Sequence, residues 1–198
     1  NDFCHDQGVF SIQGKAHLIH IQQAVSNLSG FLKGCRELRL PIVFVRTIHS
    51  SWTDSPSWMG RMKRAAEKMN ICRKDSWGSD FYGIAPQPDD CIVTKHRFSA
   101  FVGTDLDLIL RSRGIENLLF AGVATNVCVE SSVRDGFNRD YAVVLVEDCC
   151  GAFDYEEHRA ALRNIDKYFG VVASSSSILE TLEKQQGAAS GLRDLGDG

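Results

Sequence analysis

Cys128 is the strongest candidate for a reactive side chain in this sequence, because of the segment that surrounds it. Residues 121–130 read AGVATNVCVE. An apolar strand runs into small residues and a tight turn, after which a helix opens with Asn126 as its predicted N-cap. Cys128 then falls in the first turn, where free N–H groups and the helix dipole favour a thiolate and can hold an oxyanion. The alternative is a cysteine that simply packs, since free cysteines are often buried.

Lys95 is the second candidate, at the end of an apolar run over residues 91–94. A lysine at the carboxyl end of a strand can point into a site, where it would stabilise a thiolate or an oxyanion or steer a proton. Taken alone, it is better interpreted as a solvated lysine, since lysines are mostly exposed. Cys128 changes that balance, because both residues would lie at one edge of one sheet. His96 is expected to point the other way, since side chains alternate along an extended segment.

Metal and nucleotide sites are not predicted. His49 lies just past the strand that ends at Val45 and is a candidate for the same pocket. It lacks Asp and His partners at metal-ligand spacing, so no zinc or iron site is expected. The turn over residues 122–125 lacks the glycines of a dinucleotide-binding loop. The sequence therefore predicts neither a metal nor a cofactor.

The elements that must position these residues alternate along the chain. Apolar residues at helical spacing predict the first helix, and continuous apolar runs predict strands buried on both faces. This alternation predicts an α/β fold, a three-layer αβα sandwich with a mostly parallel sheet, whose site lies at the carboxyl ends of the strands. Helices are predicted at 16–38, 104–114, 126–138, 156–168 and 177–184, and strands at 41–45, 91–94, 117–123, 141–146 and 171–172.

The length of 198 residues predicts a single domain, over residues 1–186. The glycine-rich residues 187–198 are predicted to form a flexible tail. Residues 50–79 form an excursion from the alternation. Between Pro56 and Lys74 the excursion carries six basic residues and a single acid, which would attract an anionic substrate, form a solvated helical face or contact another subunit. Its tryptophans would wall a pocket or pack in the core.

Composition excludes several classes of protein. The chain has 22 basic and 25 acidic residues and a net charge of −3, so no nucleic-acid partner is expected. No apolar run approaches the roughly 20 residues that span a bilayer, and no signal peptide is recognisable, so no membrane partner is expected. Targeting stays open, because the sequence opens at Asn1 without a methionine. Seven cysteines with no CxxC pair indicate free thiols in a reducing cytoplasm.

Three motifs resemble those of the isochorismatase-like cysteine hydrolases. Residues 122–129 (GVATNVCV) resemble the nucleophile motif of that family, and residues 95–101 (KHRFSAF) resemble its lysine motif. Residues 1–3 (NDF) resemble the end of its opening motif. The resemblance implies a parallel sheet flanked by helices and a Cys–Asp–Lys triad.

The resemblance also assigns roles to residues of this sequence. Cys128 matches the nucleophile and Lys95 matches the lysine of the triad. A cis peptide bond is implied where Val123 meets Ala124, and the N–H groups of Ala124 and Cys128 would form the oxyanion hole. The family's catalytic Asp would lie three positions before Asn1. The sequence as it stands is therefore expected to be inactive and poorly stable, and the natural protein is assumed to carry the acid.

Within the family, two subfamilies resemble this sequence most. Residues 110–115 (LRSRGI) and 130–137 (ESSVRDGF) look like ureidoacrylate amidohydrolases, and residues 147–152 (EDCCGA) look like biuret amidohydrolases. The Asp-x-His metal motif of nicotinamidases is absent from residues 46–50 (RTIHS). Cys128 argues against the vinyl-ether hydrolysis of true isochorismatases, which lack that cysteine.

Together these features predict a cysteine-dependent amidohydrolase. It would cleave a C–N bond of a small ureido, carbamoyl or amide compound through a covalent acyl-enzyme and release ammonia. His49, Trp77 and Phe98 are predicted to wall the pocket. The alternatives are a non-catalytic binding or scaffold protein on the same fold, and a hydrolase of another small amide such as nicotinamide. The resemblance also implies a homodimer or a homotetramer.

Overall fold

A computed structural model of the protein describes residues 1–12, 18–60 and 71–193, and strands and helices alternate through most of these ranges. The strands are β1 (Val43–Thr47), β2 (Cys91–Lys95), β3 (Asn117–Val123), β4 (Ala142–Gly151) and β5 (Val171–Ala173). The helices are α1 (Val9–Ile12), α2 (Leu18–Glu37), α3 (Pro56–Gly60), α4 (Leu106–Ser112), α5 (Glu130–Phe137), α6 (Tyr155–Tyr168) and α7 (Ser175–Arg193).

The paired strands are parallel. β1 pairs with β2, and β4 lies between β3 and β5. Thr47 pairs with Lys95 at the carboxyl end of the first pair, and Val123 pairs with Gly151 at the carboxyl end of the second. Lys95 and the turn that follows Val123 therefore both leave the carboxyl ends of parallel strands, where open α/β sheets place their sites.

Alternate side chains of β4 face two different helical layers. Val143 and Leu145 pack in one apolar cluster with residues of α5 and α6. Val144 and Val146 pack in a second cluster with residues of α2 and α7. Because successive side chains of a strand point to opposite faces, β4 is the middle layer of a sandwich. The α/β fold class predicted from the sequence is confirmed.

β4 is longer than the sequence indicated. The predicted strand ends at Val146, whereas β4 continues to Gly151. Cys149 and Cys150 are buried in the added part, and Cys150 pairs with Gly122 of β3 beyond an irregularity in the register. Burial of these cysteines and the renewed pairing explain why the strand does not stop where its run of branched residues ends.

α7 ends later than predicted, at Arg193 rather than Lys184, so residues 187–193 of the predicted tail are helical. A glycine costs a helix about 1 kcal/mol relative to alanine, and the neighbours of Gly187 are good helix formers. Residues 194–198 of the tail, 16–17 of the first predicted helix and 61–70 of the excursion lie outside the described residues. In the ranges that the structure does describe, no helix combines the length and apolar character needed to cross a membrane.

Candidate active site

Cys128 lies in the turn that joins β3 to α5. β3 ends at Val123, and the peptide bond from Val123 to Ala124 is cis, at the position where the resemblance implies one. A π-type turn follows over Thr125–Val129, and α5 begins at Glu130. Such turns are rare and are often found at functional sites. The sequence predicted a regular helix from residue 126, so the geometry around Cys128 differs from the prediction while its position at the strand end does not.

Lys95 reaches Cys128 from the end of β2. Its Nζ donates hydrogen bonds to the carbonyl of Arg97 at 2.8 Å, to the carbonyl of Phe98 at 2.9 Å and to Sγ of Cys128 at 3.3 Å. The lysine is 5% exposed. All three ammonium donors are thus directed at acceptors within the protein. The structure brings together the two residues that the sequence singled out, and the interpretation of Lys95 as solvated is wrong.

The neighbouring histidine turns away from Cys128, as the alternation of side chains predicts. Nδ1 of His96 lies 2.6 Å from the carbonyl of Ile48. The segment that follows Lys95 is also tied to the nucleophile turn. Ser132 of α5 donates to the carbonyl of Cys128 at 2.7 Å and accepts from the N–H of Ala100 at 2.9 Å. One hydroxyl therefore links the lysine motif to the cysteine motif.

α6 holds the other side of the nucleophile turn. Oγ1 of Thr125 lies 2.9 Å from Nδ1 of His158, and Thr125 is fully buried. The side-chain amide of Asn126 donates to Oε2 of Glu157 at 2.7 Å. Asn126 is therefore not the N-cap that the sequence predicted, because it lies inside a turn that is already wound rather than ahead of a helix. Residues from the first turn of α6 fix two successive side chains of the turn.

The protonation state of His158 is compatible with a hydrogen bond from the Thr125 hydroxyl. Burial lowers the pKa of His158 below its ordinary value, and the nearby His20 lowers it further. A lowered pKa keeps the imidazole neutral at pH 7, and a neutral imidazole has one nitrogen that can accept a hydrogen bond. The Thr125 hydroxyl can then donate to Nδ1.

Replacing Thr125 with valine should slow the chemical step without weakening substrate binding. Valine keeps the side-chain shape but removes the contact to His158, and a single neutral hydrogen bond corresponds to a change of about three- to tenfold. We expect kcat to fall by that factor while KM stays the same, in steady-state kinetics with a compound that the protein turns over. Thr181→Val removes a comparable hydroxyl from exposed α7 and should change neither constant. A fall in kcat in both variants, or in neither, would contradict a role for the contact between Thr125 and His158.

A cavity of about 240 Å³ opens beside Cys128. Cys128, Lys95 and Ala124 line it, so the nucleophile candidate and the predicted oxyanion-hole residues share one space. The remaining wall is largely aromatic, with Phe3, Phe10, Trp58, Phe98 and Phe153. A concave, mostly apolar space with a few polar groups is typical of a site for a small molecule.

Two of the three predicted pocket walls line this cavity. His49, which is buried, and Phe98 are among its lining residues. Trp77 is not among the residues that the structure places there, and this prediction is corrected. Its ring meets that of His5 edge-on at 4.9 Å, and its carbonyl accepts a hydrogen bond from the side chain of Asn1. Trp77 thus packs against the start of the chain rather than against the pocket.

Sequence reasoning missed several other lining residues. Arg97 also lines the cavity, and its position two residues after Lys95 was a usable signal, since such residues share a side of an extended segment. Phe3 could have been predicted from the resemblance, because it belongs to the opening motif over residues 1–3. Phe10, Asp54 and Phe153 carried no signal, because their approach to Cys128 depends on how separate loops fold.

The predicted basic cluster of the excursion is described in part. Arg61, Lys63, Arg64 and Lys68 lie outside the described residues. Arg73 pairs with Asp54 through Nη1 at 2.7 Å, so this member of the cluster has an internal partner. Among the described residues, no group of three or more His, Cys, Asp or Glu side chains is placed to hold a metal ion.

Cys128 should be the first cysteine to react with iodoacetamide at pH 7. Cys4, Cys35, Cys72, Cys149 and Cys150 are buried, and burial raises the pKa of Cys4 and Cys35 to about 11 and that of Cys72 and Cys149 to about 12. Peptide mapping would follow the label, since residues 114–134 form a tryptic peptide in which Cys128 is the only cysteine. Faster labelling of the partly exposed Cys91 would contradict this expectation.

Comparison with known proteins supports the resemblance seen in the motifs. Residues 1–177 match the model of the isochorismatase domain. The chain belongs to this family. The ureidoacrylate amidohydrolase RutB of Acinetobacter baylyi is 45% identical over 118 residues, which are 59% of this chain and 48% of that protein. RutB of Pseudomonas syringae pv. syringae is 33% identical over an alignment of 171 positions, which covers 79% of this chain and 70% of that protein.

A solved structure has the same fold. A cysteine hydrolase from Pseudomonas syringae pv. phaseolicola matches with a TM-score of 0.80 at 25% identity, over 92% of this chain and 88% of that one. The match to the first RutB spans about half of that relative's length. The family and the fold expected from the motifs are thus confirmed.

Proposed function

We propose that the protein is a cysteine-dependent amidohydrolase that cleaves a C–N bond of a small ureido, carbamoyl or amide compound through a covalent acyl-enzyme and releases ammonia. The observation that carries the proposal is the 3.3 Å contact between Nζ of Lys95 and Sγ of Cys128 at the wall of a cavity. Membership of the isochorismatase family and similarity to ureidoacrylate amidohydrolases support the general part of the proposal, which is hydrolysis of an amide C–N bond.

The environment of Lys95 supports a nucleophilic Cys128. The ammonium is buried, and among the described residues no carboxylate forms a salt bridge with it. A buried charge without a counter-charge is costly, and a thiolate at Sγ would supply one. A charge-assisted hydrogen bond from Nζ then stabilises the sulfur in its reactive form.

The reaction follows from these positions. The Cys128 thiolate attacks the carbonyl carbon, and the N–H groups of Ala124 and Cys128 hold the oxyanion that forms. The C–N bond breaks, and the nitrogen takes a proton and leaves as ammonia. Water then attacks the acyl carbon and breaks its bond to sulfur, which releases the acid product and restores the thiolate.

A general acid is needed to donate the proton that the leaving nitrogen takes up. The resemblance puts this acid three positions before Asn1, at the start of the motif to which Phe3 belongs. Phe3 lines the cavity, which supports an approach of that motif to Cys128. The same carboxylate would take a proton from the attacking water in the second step.

The test is ammonia release from a panel of ureidoacrylate, biuret, N-carbamoyl amino acids and nicotinamide. The protein carries its natural amino terminus, and a Cys128→Ala variant is assayed beside it. We expect release from at least one ureido or carbamoyl compound and none in the variant. Ammonia release that survives in the variant would exclude the cysteine mechanism. Release from nicotinamide alone would favour the alternative of a hydrolase that acts on another small amide. Release from none of the compounds would contradict the proposal.

A further inference from the structure

The hydroxyl of Ser132 forms two hydrogen bonds, and its two partners lie in different parts of the chain. Oγ donates to the carbonyl of Cys128 at 2.7 Å and accepts from the N–H of Ala100 at 2.9 Å. Ser132 is 5% exposed and Ala100 is 4% exposed. A serine in a helix often donates to the carbonyl four residues earlier, so the first bond alone would be ordinary. The second bond joins the helix to a separate loop and needs an explanation.

The bond from Ala100 restrains the loop that carries two acceptors of the Lys95 ammonium. Nζ donates to the carbonyls of Arg97 and Phe98, which both lie in this loop. Phe98 is only two residues before Ala100, so a shift of Ala100 would move the carbonyls that fix Nζ. Ser132 therefore restrains the position of the ammonium through the loop.

Few hydrogen bonds join the lysine motif to the nucleophile motif. Among the described residues, these are the contact between Lys95 and Cys128 and the bridge through Ser132. β2 and β3 lie in separate sheets there, so no ladder of backbone hydrogen bonds sets the distance between Nζ and Sγ. The attraction between two opposite charges strengthens as they approach and as water is excluded. A buried ammonium can therefore stabilise a thiolate well only if this distance is held.

We propose that Ser132 is a positioning residue, whose hydroxyl holds the Lys95 ammonium and the Cys128 sulfur at the separation that keeps the sulfur reactive. This assignment deepens the proposed function and rests on it. Ser132 is not among the described residues that line the cavity, so it would act through Lys95 and Cys128 rather than on the substrate. Loss of the hydroxyl should lower kcat and leave KM unchanged.

The test measures how fast iodoacetamide labels Cys128 at pH 7 and at about pH 9.5, in protein with its natural amino terminus. Only the thiolate reacts, and most cysteines are ionised at the higher pH, since their ordinary pKa is about 8.5. In the Ser132→Ala protein we expect the rate at pH 7 to fall about three- to tenfold, as for loss of one hydrogen bond, and the rate at the higher pH to stay the same. Ser132→Thr keeps a hydroxyl and should restore most of the rate at pH 7.

Ser131→Ala is the matched control, because it removes the neighbouring hydroxyl of α5 and leaves the bridge in place. It should change neither rate. No fall at pH 7 in folded Ser132→Ala protein would overturn the assignment. An equal fall at both pH values would also overturn it, because that result indicates lost access to the sulfur rather than a lost thiolate. The same holds for a Ser132→Thr protein that is labelled as slowly as Ser132→Ala.

A second variant decides the question if the Ser132→Ala protein does not fold. Ser132→Cys keeps the shape of the side chain, but a thiol is a weak donor and a weak acceptor. We expect the same fall at pH 7 alone, with fragment masses of the tryptic peptide placing the label on Cys128, and an unchanged rate would overturn the assignment. Labelling needs no substrate, so this fall in a protein that releases no ammonia from any compound would contradict the proposed function and not the role of Ser132.

Discussion

Replacing Cys128 with alanine is expected to lower amide turnover by more than about a thousandfold, since loss of a nucleophile removes the covalent route altogether. Sγ accepts the Lys95 hydrogen bond and Cys128 lines the cavity, so the substitution removes the atom that is placed to attack. Cys128 is partly exposed and alanine removes one atom, so the fold should remain intact. Steady-state ammonia release measures the loss, and thermal unfolding checks the fold.

Cys91→Ala is the control for this substitution. Cys91 is also partly exposed, but it lies at the opposite end of β2 from Lys95. Its replacement should leave turnover near that of the unmodified protein. Residual activity above about a thousandth in the Cys128→Ala protein, with the fold retained, would exclude Cys128 as the nucleophile.

Replacing Lys95 with methionine should reduce kcat/KM by about 10²- to 10⁴-fold, the range typical of groups that move or stabilise charge in a transition state. Methionine is close to lysine in length but has no charge, so the sulfur of Cys128 loses its donor at 3.3 Å. The carbonyls of Arg97 and Phe98 lose their donor too. Removing a buried charge offsets that loss, so we expect little net change in the free energy of unfolding.

A second readout separates loss of charge from loss of substrate binding. Iodoacetamide reacts with the thiolate and needs no recognition by the pocket, so the rate at which Cys128 is labelled at pH 7 should fall at least about tenfold in the Lys95→Met protein. Lys33→Met, which removes an exposed lysine of α2, should leave both the labelling rate and kcat/KM unchanged. Activity within tenfold of the unmodified protein would show that Lys95 has no part in the chemistry.

The sequence predicted the scaffold well, because the scaffold follows from local pattern. The apolar run that ends before Lys95 became β2, and the run over residues 117–123 became β3. In the described part of the chain β2 and β3 lie in two separate sheets rather than in the one sheet expected, so the sequence predicted correctly only that Lys95 and Cys128 both follow the carboxyl ends of parallel strands. The resemblance of the motifs then assigned a role to each residue, the nucleophile to Cys128 and the lysine of the triad to Lys95.

The turn at Cys128 and the far wall of the pocket could not be predicted in the same way. The π-type turn depends on α6, whose residues Glu157 and His158 hold Asn126 and Thr125, and nothing in the spacing of these four residues along the chain indicates the contact. Trp77 was misplaced for a similar reason. Its ring packs on His5, which is far away in sequence. Loop contacts of this kind are set by tertiary packing rather than by periodicity.

The covalent mechanism is tested most directly by trapping the acyl group on Cys128. The protein with its natural amino terminus is mixed with the preferred compound of the ammonia panel, quenched in acid during turnover and digested with trypsin. A covalent mechanism at Cys128 predicts a peptide over residues 114–134 that is heavier by the acyl group, and no such peptide from the Cys128→Ala protein. Turnover with no adduct on that peptide in the quenched samples, or an adduct on a different residue, would contradict a covalent mechanism at Cys128.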